Sequence, residues 1–330
     1  MDSADTVETV SIAGFHHSRL ESGSKQRWSL TLIESLAGTL TTPLLTCRGV
    51  YPGAVVLAVA GIHGDEFEGM AAIRRVWAEL DPRSMRGTFL AIPIANPWAY
   101  EAQTRESPAS VDGKNLARVF PGREGGSATE ILAARLFRFV LSNLGAADLL
   151  VDLHSGGTRY RYVPMVGYRA IDNAALEPSR EAARHFGIDR LWIMPGTSGP
   201  LNAETARAGI PTIGAEVTGQ GGCLPGDVTL YADGIRHCLR HKELLSDRRL
   251  SRVGAEARET LWLNVATHGV FTPRVELGSA VTAGHLLATV AGAYGDIHEE
   301  LRAERDGEIW ALRTFPSVRP DDIAFVMAHT

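Results

Sequence analysis

Between residues 50 and 245 the sequence alternates short apolar runs with helical stretches. The apolar runs have the length of strands and lie at 54–60, 87–95, 147–153, 191–195 and 210–217. The predicted helices lie at 66–80, 127–144, 177–186 and 201–208, and Ser127 with Glu130 predicts a capping box at the start of the second. Strands that are almost wholly apolar must be covered on both faces. The alternation therefore predicts an α/β fold, with a mostly parallel or mixed sheet and helices on both of its faces.

The character of the sequence changes near residue 247. From there, short apolar runs are separated by Gly and Pro, as in "GVFTPRVELGSAVTAGHLLATV", which is typical of strands joined by turns. We therefore predict an α/β domain over residues 1–246 and a small all-β domain, barrel-like or lipoyl-like, over residues 247–330. Within the first domain, residues 1–10 are predicted to be disordered, and "RWSLTLIES" and "TTPLLTC" are predicted to be strands at the edge of the sheet.

Charge and hydropathy limit the partners of this chain. The formal net charge of −5 provides no broad basic surface, so we expect neither nucleic acid nor an anionic membrane as a partner. The N-terminal "MDSADTVETV" lacks the features of a signal peptide, and no apolar run approaches the ~20 residues that span a bilayer. We expect a cytoplasmic protein that acts on a small molecule, and the sequence leaves assembly into a homo-oligomer open.

Polar side chains follow four of the predicted strands directly. His63 and Glu66 come after the first strand, Asn96 after the second, and His154 and Glu216 stand at the ends of two later strands. In open α/β sheets, ligands bind outside the carboxyl ends of the strands. We therefore expect these five side chains to meet in one crevice.

Two histidines and one glutamate, with a fourth position left for water, are the ligand set of a catalytic zinc ion. His63, Glu66 and His154 provide this set, whereas the three cysteines show no CxxC spacing that would predict a thiolate site. Taken alone, each motif has a plainer explanation: a solvated first helical turn for "HGDE", and a hydrogen-bonded structural histidine for "DLH". The combination predicts one zinc ion per chain.

Five segments, in chain order, resemble those of a known family: "GIHGDEFEG", "NPWAYEAQTRESP", "DGKNLARVFPG", "DLHSGG" and "GAEVTGQGG". The family is that of succinylglutamate desuccinylase and aspartoacylase, which are zinc carboxypeptidase-like amidohydrolases, and the resemblance covers roughly residues 45–330. It implies a carboxypeptidase-like fold. It also implies that a metal-activated water hydrolyses the amide bond of an N-acyl amino acid or a related small N-acyl compound.

The resemblance also implies roles for individual side chains. Glu216 matches the general base, and Arg105 matches the residue that stabilises the oxyanion. Arg118 matches the residue that binds a substrate carboxylate, and Asn115 and Asn96 complete the predicted substrate-binding set. Without the resemblance, Arg105 would be read as a surface arginine and Glu216 as a strand-end carboxylate with a structural partner.

One position departs from the family pattern. The family usually has N-L-N-R where this chain has Asn115, Leu116, Ala117 and Arg118. Ala117 removes an amide that would help to orient a carboxylate, so we expect selection for an α-carboxylate to be relaxed. Acetylaspartate and succinylglutamate are accordingly expected to be poor substrates.

Other functions are compatible with parts of the pattern. A metallocarboxypeptidase that trims short peptides would use the same residues in a more open cleft, and a catalytically inactive metal-binding protein would keep every ligand. The C-terminal segment also resembles half of a lipoyl or biotinyl carrier. Carriers of that kind attach their group to a lysine, and no lysine follows Lys242, so the sequence excludes this function.

Overall fold

The computed structural model describes residues 7–36, 38–246 and 256–329. The strands in these ranges are β1 (Val7–Ser11), β2 (Lys25–Ser35), β3 (Gly38–Arg48), β4 (Tyr51–Val59), β5 (Arg86–Ile92), β6 (Leu149–Ser155), β7 (Tyr160–Tyr162), β8 (Met165–Arg169), β9 (Leu191–Met194), β10 (Thr212–Val217), β11 (Ala257–Asn264), β12 (Gly269–Pro273), β13 (Ala280–Val281), β14 (Leu286–Ala291), β15 (Ile297–Arg302), β16 (Gly307–Arg313), β17 (Ser317–Val318) and β18 (Ile323–His329). The helices are α1 (Glu68–Glu79), α2 (Pro97–Ala102), α3 (Ala128–Asn143), α4 (Leu176–Phe186), α5 (Leu201–Arg207) and α6 (Pro225–His241). Every strand and helix predicted between residues 54 and 217 is present, with bounds shifted by at most three residues.

The main sheet is mixed and has the order β1-β2-β3-β5-β4-β6-β10-β8-β9-β11-β18-β16-β13, with β7 paired to β16. At its centre β5, β4, β6 and β10 run parallel, and β8 pairs with β10 in the opposite direction. A second, antiparallel sheet has the order β15-β14-β12-β17. This mixed α/β architecture, with a small antiparallel sheet near the C-terminus, confirms the predicted fold class.

Helices cover the main sheet on both faces, as the sequence pattern predicts. On β4, Val56 and Ala58 pack into the apolar cluster that includes α1, α4 and α6. Their neighbours Val55, Leu57 and Val59 pack into the opposite cluster, which includes α3 and α5. Successive strand residues point to opposite faces, so a strand between two helical layers must be apolar throughout.

The segment after residue 256 consists of strands in the part of the chain that the structure describes, in agreement with the all-β prediction. Its first strand, β11, pairs in parallel with β9 and thereby extends the main sheet. Trp310 of β16 is buried against Trp192 of β9. The predicted boundary near residue 247 falls between the described ranges, and the division into two domains stays a prediction.

Three features differ from the sequence predictions. The predicted disorder is wrong for residues 7–10, which belong to β1 and pair in parallel with β2, whereas residues 1–6 lie outside the described ranges. The sequence pattern predicted neither the strand β8 nor the helix α6. The two strands predicted at the edge of the sheet are present as β2 and β3, and they lie next to the edge, which β1 forms. Among the described residues, no helix is long and apolar enough to cross a membrane.

Candidate active site

The candidate metal ligands lie at the carboxyl ends of neighbouring parallel strands. His63 and Glu66 occupy the turn between β4 and α1, and His154 is the penultimate residue of β6. One ligand atom from each of the three lies within 4.8 Å of the others. Glu216 on β10 is the register partner of His154. The topology thus gathers four of the five side chains that were expected to meet in one crevice, Asn96 being the exception, and His63, Glu66 and His154 could hold a metal ion.

Hydrogen bonds fix which nitrogen His63 offers. Its Nδ1 lies 2.9 Å from the main-chain oxygen of Arg105, and since a carbonyl only accepts, Nδ1 carries the hydrogen and Nε2 keeps its lone pair. Burial, together with the positive charges of Arg105 and His154, lowers the pKa of His63 well below its usual value. His63 is therefore neutral, the form in which an imidazole binds a metal.

His154 is oriented by two carboxylates. Its Nε2 lies 3.3 Å from Asp152 Oδ1, and its Nδ1 lies 3.0 Å from Glu66 Oε2. Burial opposes a positive charge here, but Asp152 and Glu66 outweigh it and raise the pKa of His154 well above its usual value. The arrangement stabilises positive charge between His154 and Glu66, and a divalent cation would supply such charge.

Arg105 contributes to this site in two ways. Besides its carbonyl, its Nη1 donates to Glu66 Oε1 at 2.8 Å, and the main-chain nitrogen of Ser155 donates to Glu66 Oε2 at 3.1 Å. No sequence pattern predicts the contact between the Arg105 carbonyl and His63, because it depends on how the loop that carries Arg105 folds back over His63.

Asp65, which lies between the two ligands of the first motif, supports the neighbouring loop. Its Oδ2 accepts hydrogen bonds from the main-chain nitrogen of Thr158 at 2.7 Å and from the hydroxyl of Thr158 at 2.8 Å. Gly157 has a φ of 52°, and a Cβ there would lie 2.6 Å from Asp65 Oδ2, so this loop requires glycine. Glu68 is fully buried and does not line the pocket described next.

A pocket of about 410 Å³ opens beside these residues. We call His63, Arg105, His154 and Glu216 its imidazole side, together with Glu66, which bonds to Arg105 and His154 without lining the pocket. Arg118, Arg169 and Asn202 form its arginine side. Apolar lining comes from Ala117, Trp192, Met194 and Trp262. Trp262 belongs to β11, so the C-terminal segment forms part of the pocket wall.

The arginine side holds two guanidinium groups, neither of which has a carboxylate partner in the described part of the chain. Arg118 Nη1 donates to the carbonyl of Ala117 at 3.0 Å, and burial followed by the charge of Arg105 lowers its pKa. Arg169 donates from Nε to Asn202 Oδ1 and from Nη1 to the carbonyl of Pro195, both at 2.7 Å. Burial lowers the pKa of Arg169 to about 10.

The sequence did not single out Arg169 or Asn202. Arg169 ends β8, a strand that the sequence reading missed, and Asn202 lies in the first turn of α5. Recognition of β8 would have marked Arg169 as a strand-end residue.

Asn96 and Asn115 do not line the pocket. Asn96 is fully buried; its Oδ1 accepts from the main-chain nitrogen of Ala99 at 3.2 Å, and its Nδ2 donates to Ser107 Oγ at 3.2 Å. Asn115 Oδ1 accepts from the main-chain nitrogen of Ala117 at 2.9 Å. Both amides shape the loops around the pocket, and substrate contact by either one stays a prediction.

Comparison with known proteins agrees with the motif resemblance. Residues 52–242 match the Succinylglutamate desuccinylase/Aspartoacylase catalytic domain. The N-alpha-acetyl-L-2,4-diaminobutyric acid deacetylase of Halomonas elongata is 32% identical over 310 residues, which cover 90% of this chain and 88% of that protein. The product-bound Ectoine utilization protein EutE (DoeB) from Ruegeria pomeroyi has a TM-score of 0.81 at 25% identity, covering 92% of this chain and 94% of that chain. A succinylglutamate desuccinylase/aspartoacylase structure from Rhodobacter sphaeroides has a TM-score of 0.80 at 24% identity, covering 94% of this chain and 98% of that chain. The chain therefore belongs to the succinylglutamate desuccinylase/aspartoacylase family of hydrolases.

Proposed function

We propose that this protein is a zinc-dependent deacylase that hydrolyses the amide bond of an N-acyl amino acid or a closely related small N-acyl compound. The observation that carries the proposal is the grouping of His63, Glu66 and His154 within 4.8 Å at the edge of a pocket. Among the residues that the structure describes, no other group of three His, Cys, Asp or Glu side chains comes together in this way.

The donor set fits zinc. His63 offers Nε2, His154 offers Nδ1 and Glu66 offers a carboxylate oxygen, and two imidazoles with one carboxylate are typical of catalytic zinc sites. When bound, zinc acidifies a water molecule and polarises the scissile carbonyl.

Glu216 is suited to move the proton. Its Oε2 is buried and lacks a hydrogen-bond partner within the described ranges. Burial raises the pKa of Glu216 to about 8 despite the opposing positive charge of His154. A carboxyl group whose pKa lies near neutrality can take up and release a proton there, as transfer from the water to the leaving nitrogen requires.

Arg105 is suited to stabilise the oxyanion. Its side chain is 17% exposed, lines the pocket, and uses Nη1 for the contact with Glu66. A guanidinium has five N–H donors, so other donors of Arg105 can face the oxygen on which negative charge develops.

The arginine side favours a substrate that carries a carboxylate. Arg118 and Arg169 line the pocket without carboxylate partners, and a substrate anion would supply one. Because Ala117 provides no amide, we propose that this carboxylate lies in a different position from that of acetylaspartate or succinylglutamate. The names of the relatives make N-acetyl derivatives of small amino acids, 2,4-diaminobutyrate among them, the first compounds to test.

The test combines metal analysis with a substrate panel. The purified zinc form is assayed with N-acetyl amino acids, with matched acetyl amides that lack the carboxylate, and with short peptides. We expect one zinc per chain and hydrolysis of N-acetyl amino acids that chelation abolishes and zinc restores. Full activity in the chelated protein, or hydrolysis of the peptides alone, would overturn the proposal.

A further inference from the structure

A chain of buried polar side chains runs from His154 to the arginine side of the pocket. His154 Nε2 lies 3.3 Å from Asp152 Oδ1. Asp152 Oδ2 accepts from Asn202 Nδ2 at 2.9 Å, and Asn202 Oδ1 accepts from Arg169 Nε at 2.7 Å. Asp152, Asn202 and Arg169 are 1%, 4% and 9% exposed, so water does not compete effectively for these contacts.

The fold makes room for this chain at one glycine. Asp152 is on β6 and Arg169 on β8, and β10 lies between these two strands. Gly214 of β10 is the register partner of Asp152, and a Cβ at Gly214 would lie 2.9 Å from Asn202 Nδ2. The amide therefore reaches Asp152 across a position of β10 where a side chain would crowd it.

The charges at the two ends fix how the Asn202 amide is turned. Arg169 can only donate, so the amide oxygen faces it, and the amide nitrogen must then face Asp152. The reversed amide would set an oxygen against a carboxylate and two N–H groups against a guanidinium. Arg169 also donates a hydrogen bond to the carbonyl of Pro195, which holds its guanidinium in place and thereby fixes the orientation of the Asn202 amide.

We propose that Asn202 and Arg169 are positioning residues for the metal site: they hold Asp152, and through it the imidazole of His154, in the orientation that metal binding requires. The inference rests on the proposed function, because it takes His154 as a ligand. Groups that orient a ligating histidine contribute roughly 10–100-fold to metal affinity. Asn202 acts one residue further from the metal, so the effect belongs at the lower end of that range.

Two substitutions disrupt the connection from Asp152 through Asn202 to Arg169 in different ways. Asn202→Leu removes both hydrogen bonds while keeping the branched shape of the side chain, and it leaves Asp152 Oδ2 and Arg169 Nε without these partners. Gly214→Ala removes no polar group. Its Cβ would lie 2.9 Å from Asn202 Nδ2 and 3.3 Å from Met194 Cε, so it displaces the end of the Asn202 side chain and tests the Asn202–Asp152 contact if Asn202→Leu fails to fold. Asn143→Leu is the matched control, because Asn143 is a buried amide that bonds to Phe139 in α3, outside the pocket.

The readouts are the zinc dissociation constant, measured by chelator competition, and the visible absorption spectrum of the Co²⁺ form. We expect about tenfold weaker zinc binding and an altered Co²⁺ spectrum in Asn202→Leu and Gly214→Ala, with wild-type values in Asn143→Leu. Suppose that Asn202→Leu and Gly214→Ala, where folded, keep wild-type zinc affinity and Co²⁺ spectrum, while His154→Ala loses the metal. The positioning role of Asn202 and Arg169 would then be wrong, and the proposed function would stand. A wild type that binds neither zinc nor Co²⁺, or a His154→Ala protein that binds them as well as wild type, would overturn both.

Discussion

The two sides of the pocket differ in how their charged groups are paired. On the imidazole side, Glu66 is bonded to Arg105, His154 and Ser155, and His63 is bonded to a main-chain carbonyl. On the arginine side, Arg118 and Arg169 bond to carbonyl and amide oxygens, and neither meets a carboxylate within the described ranges.

This difference indicates two kinds of occupant. Glu66 and His154 are each held by more than one neighbouring group and keep one geometry, which suits an ion of fixed coordination. Guanidinium groups that have no anionic partner within the protein are available to bind the anionic group of a substrate, which enters and leaves the pocket. We therefore propose that the metal binds at the imidazole side and the substrate carboxylate at the arginine side.

The largest effect is expected from removing a ligand on the imidazole side. His154→Ala takes away one of three donors and leaves Asp152 and Glu66 facing a cavity. We expect the variant to lose stoichiometric zinc and all measurable turnover, as shown by metal analysis and a deacylase assay. His285→Ala, an exposed histidine in the C-terminal segment, is the control. Stoichiometric zinc in the His154→Ala protein would show that the metal is not bound at the imidazole side.

The next largest effect separates proton transfer from metal binding. Glu216→Gln keeps the size of the side chain but cannot accept the proton. We expect full zinc content with turnover lowered roughly 10²–10⁴-fold, the usual contribution of a general base. Turnover close to wild type would mean that another group moves the proton.

The imidazole side was predictable because its signals are local. His63 and Glu66 are three residues apart, each ligand segment directly follows an apolar strand, and the carboxyl ends of parallel strands meet at one edge. Strand composition likewise predicted helices on both faces of the sheet, because the side chains of a strand such as β4 are apolar on both faces and need to be covered.

The arginine side was harder to predict because its contacts are distant in sequence. Asn202 bonds to Arg169 across 33 residues and to Asp152 across 50 residues, and neither pairing has a spacing that a motif could reveal. The glycine that lets the amide pass, Gly214, gains its meaning only from the order of β6, β10 and β8. The strand at residues 7–11 was missed for a similar reason, since it is held by pairing with β2 rather than by burial.

A smaller effect is expected from the arginine side, and it should depend on the substrate. Arg118→Met removes a charge-assisted hydrogen bond of about 1.5–3 kcal/mol, equivalent to roughly ten- to a hundredfold in kcat/KM. We expect this loss with N-acetyl amino acids and little change with matched amides that lack the carboxylate, while zinc content is unchanged. Arg83→Met, at an exposed site, is the control. An equal loss for both substrate types would contradict carboxylate binding by Arg118.

A still smaller effect is expected at the position that departs from the family pattern. Ala117 is 5% exposed and lines the pocket, and asparagine there could add one neutral hydrogen bond to a carboxylate. Such a bond contributes about 0.5–1.5 kcal/mol, or roughly two- to tenfold. We expect low kcat/KM for acetylaspartate and succinylglutamate in wild type and a gain of this size in Ala117→Asn. If wild type already prefers these two acids strongly and the variant is unchanged, the departure has no effect on specificity.

The smallest effect concerns the support of the loop that supplies both sides of the pocket, Arg105 to one and Arg118 to the other. Glu130, at the start of α3, accepts from the main-chain nitrogen of Ser127 at 2.7 Å and pairs with Lys114 at 3.2 Å. These contacts, the Ser127 bond first, lower the pKa of Glu130 from 4.5 to about 2. A carboxyl whose pKa is lower in the folded chain stabilises the fold above pH 4.5, and this contribution is lost as the pH falls from 4.5 towards 2. We expect Glu130→Gln to lower the free energy of unfolding slightly at pH 6. The difference in free energy of unfolding between the variant and wild type should become smaller at pH 4.5 and smaller again at pH 3. Zinc content and kcat/KM should be unchanged at neutral pH. Urea titrations at the three pH values measure this. If Glu130→Gln impaired one side of the pocket and spared the other, the two sides would differ in their dependence on this loop as well as in their charge pairing.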